Sequence, residues 1–380
     1  MSHYDYIILG GGAAGLLLAD ALGKDEFFAS KTILILDKDD KSKNDRTWCF
    51  WEKGIGDFDD LAYKTWESIY VAGQKLDKST SIAPYTYKML RGIDFYNHYL
   101  PKVKAYPNIT WIQVEVTQIE ERKNKVLVST AFQKFTGQTV FSSLYDPSIP
   151  LKQDKFPVLQ QHFLGWQIKT ERSVFDSSEA TFMDFSVPQK GNTRFMYVLP
   201  FSENEALVEY TLFSELLLEK SDYEQAIKTY IKEKYNGTPY TIQETEFGTI
   251  PMTCYPFHQH NTERLFYIGV AGGWAKPSTG FTFYHTSQQI KHLVKHLKQN
   301  RPLTQFYKKS RFRFYDMLLL DILYKDNHLG QSIFESLFQK RKASLILKFL
   351  GNESSLWDEV KIISAPPPKP FLKALWKRLF

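Results

Sequence analysis

The sequence predicts an α/β fold: a Rossmann-type domain, an inserted β-rich domain and a helical C-terminal region. Three observations support this prediction. A strand, a glycine turn and a helix open the chain, strand-like patterns crowd residues 156–250, and the segment from about residue 291 has helical patterns. With 380 residues and 43% hydrophobic content, the chain is long enough for two domains or for one domain with a large insertion.

The first element is a short apolar strand followed by a glycine turn. Residues 6–9 read as a buried parallel strand, and Gly10, Gly12 and Gly15 follow at once in the spacing G-x-G-x-x-G. Gly10 permits the tight turn, Gly12 lets the backbone approach a pyrophosphate, and Gly15 lets the helix pack close to the strand. This unit predicts a dinucleotide site.

The helix and the next strand complete the predicted site. Residues 16–22 read as the helix, and Ala13 and Ala14 lie at its N-terminus, where backbone amides bind phosphate. The strand at residues 32–36 ends at Asp37, an acid at the spacing that bonds a ribose hydroxyl. FAD and NAD share this arrangement, so the motif alone does not choose between them.

A second glycine-rich segment follows a later strand at residues 265–269. It contains Gly272, Gly273, Thr279 and Gly280, and a helix is expected from about Phe281. This offers a second helix N-terminus for a cofactor's phosphates or ring.

The order of these elements predicts a discontinuous domain organisation. Residues 1–150 and 250–300 would form the dinucleotide-binding domain. Residues 151–249, with part of 65–95, would form a β-rich substrate domain, and residues 301–380 a helical, membrane-associating region.

Charge and cysteine content limit the classes of partner. The net charge is +6, and residues 291–380 carry 18 Lys/Arg against 7 Asp/Glu, which indicates an anionic partner. No nucleic-acid-binding module is recognisable, so a phospholipid surface is preferred. Cys49 and Cys254 form no CxxC pair and fit a reducing cytoplasm. No metal site is expected, because no histidine has metal-ligand spacing with an acid or thiol.

The end of the chain has an amphipathic pattern. Phe371, Leu372, Leu375, Trp376 and Leu379 fall at helical spacing, beside lysine and arginine residues. Such a helix lies in a membrane interface, and residues 312–323 form a second apolar candidate. The alternative is a C-terminal helix that docks on the protein's own core. The sequence has neither a signal peptide nor an apolar run of membrane-spanning length.

Several segments together resemble the bacterial lycopene β-cyclases, in order and spacing through some 270 residues. The segments are residues 5–15, 46–51, 161–166, 182–185, 197–200 with 207–211, 248–252 and 272–280. Ala271-Gly272 stands where wider flavoenzymes have a Gly-Asp pair, and the cyclases share this departure.

The resemblance implies a FAD-binding fold of the glutathione-reductase-like kind and a non-redox reaction. These enzymes convert the ψ-ends of lycopene and related ψ-end carotenoids to β-rings, giving γ-carotene and then β-carotene. They use reduced FAD, with NAD(P)H as the expected reductant. The resemblance also implies peripheral association with the cytoplasmic face of the cell membrane, near other carotenoid-pathway enzymes.

Two acids are candidates for the proton chemistry. Glu209 lies in the apolar strand 206–212 and matches the family's acidic position, so we expect it to donate the proton. The alternative is a glutamate facing solvent. Asp184, in the apolar segment 182–185, would orient Glu209 or hold a proton network; a strand-end acid or turn cap is the alternative.

Aromatic rings and an arginine complete the predicted site. Trp48, Trp51, Trp166 and Trp274 are expected to offer π-density to a carbocation, although packing is the commoner role of such residues. Arg46 is expected to contact FAD, with a salt bridge elsewhere as the alternative. A redox flavoenzyme, such as a hydroxylase or a polyprenyl reductase, and a non-catalytic isoprenoid carrier remain alternative functions.

Overall fold

The computed structural model describes residues 2–379 and folds them into three sheets and a set of C-terminal helices. In chain order the strands are β1 (Ser2–Leu9), β2 (Ile33–Asp37), β3 (Thr47–Lys53), β4 (Lys64–Trp66), β5 (Ser68–Ala72), β6 (Asp77–Ser81), β7 (Tyr85–Arg91), β8 (Ile109–Gln113), β9 (Val116–Arg122), β10 (Lys125–Thr130), β11 (Lys134–Ser142), β12 (Val158–Thr170), β13 (Glu179–Asp184), β14 (Arg194–Pro200), β15 (Glu205–Ser214), β16 (Tyr240–Thr253) and β17 (Leu265–Tyr267). The helices are α1 (Ala13–Gly23), α2 (Gly92–Ala105), α3 (Ser148–Leu151), α4 (Lys220–Lys234), α5 (Phe283–Lys298), α6 (Arg311–Lys325), α7 (Gly330–Lys340), α8 (Ala343–Leu350), α9 (Leu356–Ile363) and α10 (Pro368–Leu379).

The first sheet has the Rossmann arrangement. Its path is β8-β2-β1-β11-β10-β9, with β17 also paired to β11, and the pairs β8–β2, β2–β1, β1–β11 and β11–β17 are parallel. Every residue of β2 is buried, as expected for a strand covered on both faces. Helices α1, α2 and α5 pack together over this sheet and share its apolar core. The α/β fold expected from the sequence is confirmed.

The second sheet runs β16-β12-β15-β14-β13-β5-β6 and separates two apolar layers. Along β15, Leu207 and Phe213 face the core shared with the C-terminal helices, whereas Val208 and Tyr210 face α4. This alternation follows the two-residue period of a strand. Strands β5 and β6 join the sheet from an early part of the chain. The predicted domain boundaries stay a prediction.

The third sheet is small and links the other two regions. Its order is β3-β7-β4. Trp51 of β3 belongs to the core beneath the second sheet, whereas Phe50 belongs to the core around α1.

The C-terminal region is helical, as expected, and much of it is core. In α6, Leu320 and Leu323 are fully buried against the second sheet, so the apolar segment at residues 312–323 packs inside the protein. Helix α10 docks on α6 through Ala374 and Leu375, and Arg378 forms an ion pair with Asp321.

Among residues 2–379 no helix combines the length and apolar character needed to cross a bilayer.

Candidate active site

The glycine turn has the geometry that its spacing predicts. Gly10 has φ +91°, a conformation that a side chain would strain. A Cβ on Gly15 would lie 1.9 Å from the carbonyl oxygen of Gly10, so only glycine lets α1 approach β1 this closely. Around Gly12, by contrast, a Cβ would meet no described atom within 4 Å. The turn is tight on two sides and open where a phosphate would approach.

The first turn of α1 is available to an anion. Gly12 is its N-cap, no side chain within residues 2–379 caps it, and its first turn carries no acid. Asp37, at the end of β2, accepts a hydrogen bond from the Gly11 N–H and lies 3.2 Å from the Lys41 ammonium. The acid expected to bind ribose therefore stands directly beside the glycine turn.

The second glycine segment meets the first. A Cβ on Gly269 would lie 2.9 Å from the Cβ of Ala14, which places this segment against the start of α1. Gly273 and Gly280 both have φ +72° and shape the loop before α5. The hydroxyl of Thr279 is buried and has no hydrogen-bond partner among the described residues. A polar atom left in this state indicates a ligand group that would satisfy it, so the residues fit a bound dinucleotide.

A cavity of about 740 Å³ extends from this loop beneath the second sheet. Thr279 and Gly280 line one part of it, and Leu372 and Leu375 of α10 line another. Its walls are mainly apolar and aromatic; the aromatic side chains are Trp48, Phe163, Phe182, Phe195, Tyr197, Phe213, Phe247, Phe281, Phe283, Phe314, Tyr315, Phe334, Phe338, Phe349 and Phe371. The cavity therefore suits a long hydrocarbon.

Two glutamates face this cavity side by side. In the sheet register, Glu209 of β15 and Glu246 of β16 both lie opposite Gly165 of β12, one on each side. Their carboxyl groups are close enough for each to influence the pKa of the other. Thr211 donates to Glu209 at 2.6 Å, and Thr47 donates to Glu246 at 2.8 Å.

This environment favours retention of a proton by the pair. Burial raises the pKa of Glu209 well above its usual value, and the neighbouring Glu246 raises it further. Burial also raises the pKa of Glu246. Two carboxyl groups in an apolar cavity cannot both ionise cheaply, so the pair holds a proton at a pH where an exposed glutamate has lost it.

Glu246 was not among the acids predicted from the sequence. It lies in β16 between exposed residues, in the run Thr245-Glu246-Phe247. The signal was the small residue Gly165 in the apolar strand β12, because a strand glycine often marks the close approach of neighbouring groups. Pairing that glycine with β16 requires the register of the sheet, which the sequence does not reveal.

Asp184 needs a correction, because it does not orient Glu209. It pairs with Met196 of β14, whereas Glu209 pairs with Tyr197, the next residue along that strand. Neighbouring residues of a strand point to opposite faces, so the two acids lie on opposite sides of the sheet. Asp184 is fully buried against α4, where Tyr230 donates a hydrogen bond to it at 2.8 Å.

Of the four tryptophans predicted to line the cavity, only Trp48 does so. Trp48 lines the cavity and packs against Phe283. Trp166 faces α4 on the far side of the sheet, and Trp274 packs in the core around α1.

Trp51 lies behind the cavity wall. It donates a hydrogen bond to the Leu347 carbonyl at 3.0 Å and touches Phe281, which does line the cavity. Packing is thus the observed role of Trp51, Trp166 and Trp274, and the π-surface of the cavity consists mainly of Phe and Tyr.

Arg46 lines the cavity together with the glutamate pair. Its guanidinium bonds Asp45 at 2.9 Å from Nε, and Asp45 also accepts a hydrogen bond from Tyr96. The side chain is about half exposed, so Arg46 can exchange this partner for a ligand anion.

Comparison with known proteins places this arrangement in a family. The family model described as lycopene cyclase protein matches residues 5–376. The chain belongs to the lycopene cyclase family. The resemblance seen in the sequence is confirmed. Membership of this family supports carotenoid cyclisation as the class of reaction.

One curated relative agrees with the family, and solved structures show the fold. The chain is similar to the lycopene beta-cyclase of Pantoea ananas, with 23% identity over 402 residues that cover 98% of this chain and 97% of that enzyme. Among solved structures it resembles a geranylgeranyl bacteriochlorophyll reductase-like protein from Thermoplasma acidophilum, with TM-score 0.63, 12% identity and 98% of both chains covered. It also resembles a flavin-dependent brominase, with TM-score 0.59, 15% identity and 99% of both chains covered. The chain thus has a Rossmann-type FAD-binding fold.

Within residues 2–379 no group of three or more His, Cys, Asp or Glu side chains is placed to hold a metal ion.

Proposed function

We propose that this protein is a lycopene β-cyclase that converts the acyclic ψ-ends of lycopene to β-rings, through γ-carotene to β-carotene. The observation that carries the proposal is the glutamate pair in an apolar cavity. A carboxyl group that keeps its proton there is available as a general acid toward a carbon–carbon double bond in the same cavity.

The proposed reaction has three steps that leave the molecular formula unchanged. Glu209 gives its proton to the terminal double bond, and a tertiary carbocation forms. The next double bond attacks this cation with its π-electrons, which closes a six-membered ring and moves the positive charge into the ring. Loss of a ring proton to a base then forms the ring double bond, and no electrons leave the substrate.

Aromatic side chains in the cavity walls would stabilise the carbocations of this reaction. Aromatic faces attract a cation, and Tyr197 lies directly opposite Glu209 in the sheet register. Phe182 and Phe281 lie nearly parallel to one another, with ring centroids 6.1 Å apart, and both line the cavity. These rings would keep water away from the cation and stabilise it in place of solvent.

Residues for FAD are proposed from the two glycine segments. Gly10, Gly12, Ala13, Ala14 and Gly15 would hold the pyrophosphate at the start of α1. The other proposed contacts are Asp37 with a ribose hydroxyl, Arg46 with an anionic group, and Gly272, Gly273, Thr279 and Gly280 with the ring or phosphates. When bound and reduced by NAD(P)H, FAD supplies negative charge beside the cationic substrate.

A membrane surface is proposed as the source of the substrate. Helices α9 and α10 expose large apolar side chains, with Trp357 79% and Trp376 67% exposed. Lys361, Lys373 and Lys377 are exposed around them. Apolar groups ringed by lysine are typical of interfacial helices on anionic lipid.

This surface adjoins the cavity. Ile363 of α9 and Leu372 of α10 are each exposed, and each also lines the cavity. One end of a carotenoid could therefore reach the glutamates while the rest stays in the bilayer. We place the enzyme at the cytoplasmic face of the cell membrane, beside other enzymes of the same pathway.

Pigment analysis in lycopene-accumulating cells tests the function. The wild type should produce β-ring carotenoids and deplete lycopene, and Glu209→Gln should leave lycopene unchanged at equal protein level and FAD content. Glu244→Gln is the matched control, because Glu244 is exposed on the same strand as Glu246. Unaltered lycopene in cells that express the wild type would refute the proposal.

Consumption of reductant separates a cyclase from a redox flavoenzyme such as a polyprenyl reductase, a function that the reductase-like structural relative keeps open. A cyclase oxidises no NAD(P)H in proportion to product under anaerobic conditions. Equimolar NAD(P)H consumption and a product with added hydrogen would support the reductase instead.

Vesicle sedimentation tests the membrane surface. The double variant Trp357→Ser/Trp376→Ser should lose most binding to vesicles that contain phosphatidylglycerol. Phe132→Ser is the control, since Phe132 is 92% exposed in the β10–β11 turn. Equal binding by both variants would contradict the assignment of α9 and α10.

A further inference from the structure

We propose that Glu246 is a positioning residue that shares one proton with Glu209 and keeps Glu209 in its acid form until substrate arrives. The inference rests on the proposed function, since it concerns the acid that starts the reaction. It assigns a role to a residue outside the sequence segments that carry the family resemblance.

The register of the sheet brings the two carboxyl groups together. Glu209 and Glu246 belong to strands that are separated by β12, and the residue between them is Gly165. A Cβ at Gly165 would lie 3.2 Å from the Cγ of Glu246 and 3.5 Å from the Cβ of Glu209. A larger side chain at this position would therefore crowd both glutamate side chains.

Two threonines leave one oxygen of each carboxyl group for the other. The Thr211 hydroxyl donates to Oε1 of Glu209, and the Thr47 hydroxyl donates to Oε2 of Glu246. This leaves Oε2 of Glu209 and Oε1 of Glu246 for an interaction between the two groups, and a hydrogen bond between two carboxyl groups requires one proton. The described residues thus provide two fixed donors and one place for a shared proton.

The surroundings supply no cationic partner for either carboxyl group. Among residues 2–379 no Lys, Arg or His is hydrogen-bonded or ion-paired to either glutamate in the described contacts. The titratable or charged groups near the pair are Cys49 on β3, Tyr87 on β7, Tyr197 on β14, Glu244 on β16, and Asp45 with Arg46 before β3. Cys49, Tyr87 and Tyr197 are neutral near pH 7, because burial raises the pKa of each group.

A shared proton has a specific use in this reaction. While the pair holds one proton, it has one negative charge, which attracts the carbocation as it forms. When Glu209 has given that proton to the substrate, both carboxyl groups are ionised beside the cation. Return of the ring proton to the pair restores its starting state, so atoms and charge balance over one cyclisation.

Infrared spectroscopy of the FAD-loaded full chain tests the shared proton without relying on activity. The C=O stretch of a protonated carboxylic acid should persist in the wild type from about pH 5 to about pH 8, where ordinary glutamates are ionised. In Glu246→Gln the band should disappear at lower pH than in the wild type, because the neighbouring negative charge is gone. Glu209→Gln identifies the band, and Glu171→Gln, at an exposed residue directly after the end of β12, should leave it unchanged.

The cyclisation rate supplies a second readout. The rate near pH 8 divided by the rate near pH 6 should be about tenfold lower in Glu246→Gln than in the wild type. Glu246→Asp should recover most of this pH dependence. A purely structural role would lower the rate equally at each pH, and an unchanged pH dependence of both band and rate in Glu246→Gln would overturn the proposal. If the wild type does not cyclise lycopene but the band shifts, the pair stands and the proposed function fails.

Discussion

The glycine turn allows its two functions to be separated by a pair of substitutions. Gly15→Ala places a methyl group 1.9 Å from the carbonyl oxygen of Gly10, whereas Gly12→Ala places one where no described atom lies within 4 Å. The first change should disturb packing between α1 and β1. The second should leave the fold intact and obstruct a dinucleotide phosphate.

The expected magnitudes follow from these distances. To reach ordinary van der Waals contact, α1 would have to move about 1.5 Å from β1 in Gly15→Ala, and both contacting groups are backbone-anchored. Such overpacking costs about 1–3 kcal/mol or more, against a gain of about 1 kcal/mol in helix propensity. Gly12 has φ −80° and ψ −165°, which alanine adopts freely, so Gly12→Ala should cost less than about 1 kcal/mol.

Urea unfolding of the apoprotein and FAD titration measure the two effects. Gly15→Ala should be clearly less stable than the wild type, and it should also bind FAD more weakly because the helix N-terminus has moved. Gly12→Ala should keep near wild-type stability and bind FAD at least tenfold more weakly, a difference of about 1.4 kcal/mol. Wild-type FAD affinity in Gly12→Ala would refute the assignment of this turn to the pyrophosphate.

Two further predictions concern the cavity and its acid. Because burial raises the pKa of Glu209, the folded state holds a proton that the unfolded chain releases, so stability falls as the pH rises above the ordinary glutamate value. Thermal unfolding from about pH 5 to about pH 8 should therefore show that Glu209→Gln gains stability relative to the wild type as the pH rises. A stability difference between the two proteins that stays constant with pH would contradict the raised pKa of Glu209. Trp48→Leu should lower cyclisation about tenfold by removing an aromatic face from the cavity, whereas Trp166→Leu should lower the unfolding temperature and retain the rate of the folded enzyme. Equal loss of rate per folded molecule in both variants would be inconsistent with their opposite faces.

Local patterns identified the elements of the fold that depend on short stretches of sequence. The strand before Gly10, the helix after it and the acid at residue 37 all lie in one continuous stretch, and each has a characteristic residue pattern. The apolar strand around Glu209 was equally visible, because β15 is buried on both faces.

Features that depend on pairing between distant strands were not predictable. Asp184 and Glu209 both lie in apolar strands, and only the register with β14 shows that they occupy opposite faces. Glu246 lies beside Glu209 because both pair with Gly165 of β12. Gly165 and Glu246 are about 80 residues apart in the sequence. The C-terminal helix shows the same limit, since its apolar residues are divided between a docked face with Leu375 and an exposed face with Leu372.

The central claim is that Glu209 supplies the proton for ring formation inside a carotenoid cyclase. The most direct measurement is anaerobic incubation of the purified enzyme, loaded with reduced FAD, with lycopene in D₂O, followed by mass spectrometry of the carotenoid. The account predicts a β-ring product that carries solvent-derived deuterium at the protonated carbon, and no product from Glu209→Gln with normal FAD content. Ring formation by Glu209→Gln at the wild-type rate would contradict it.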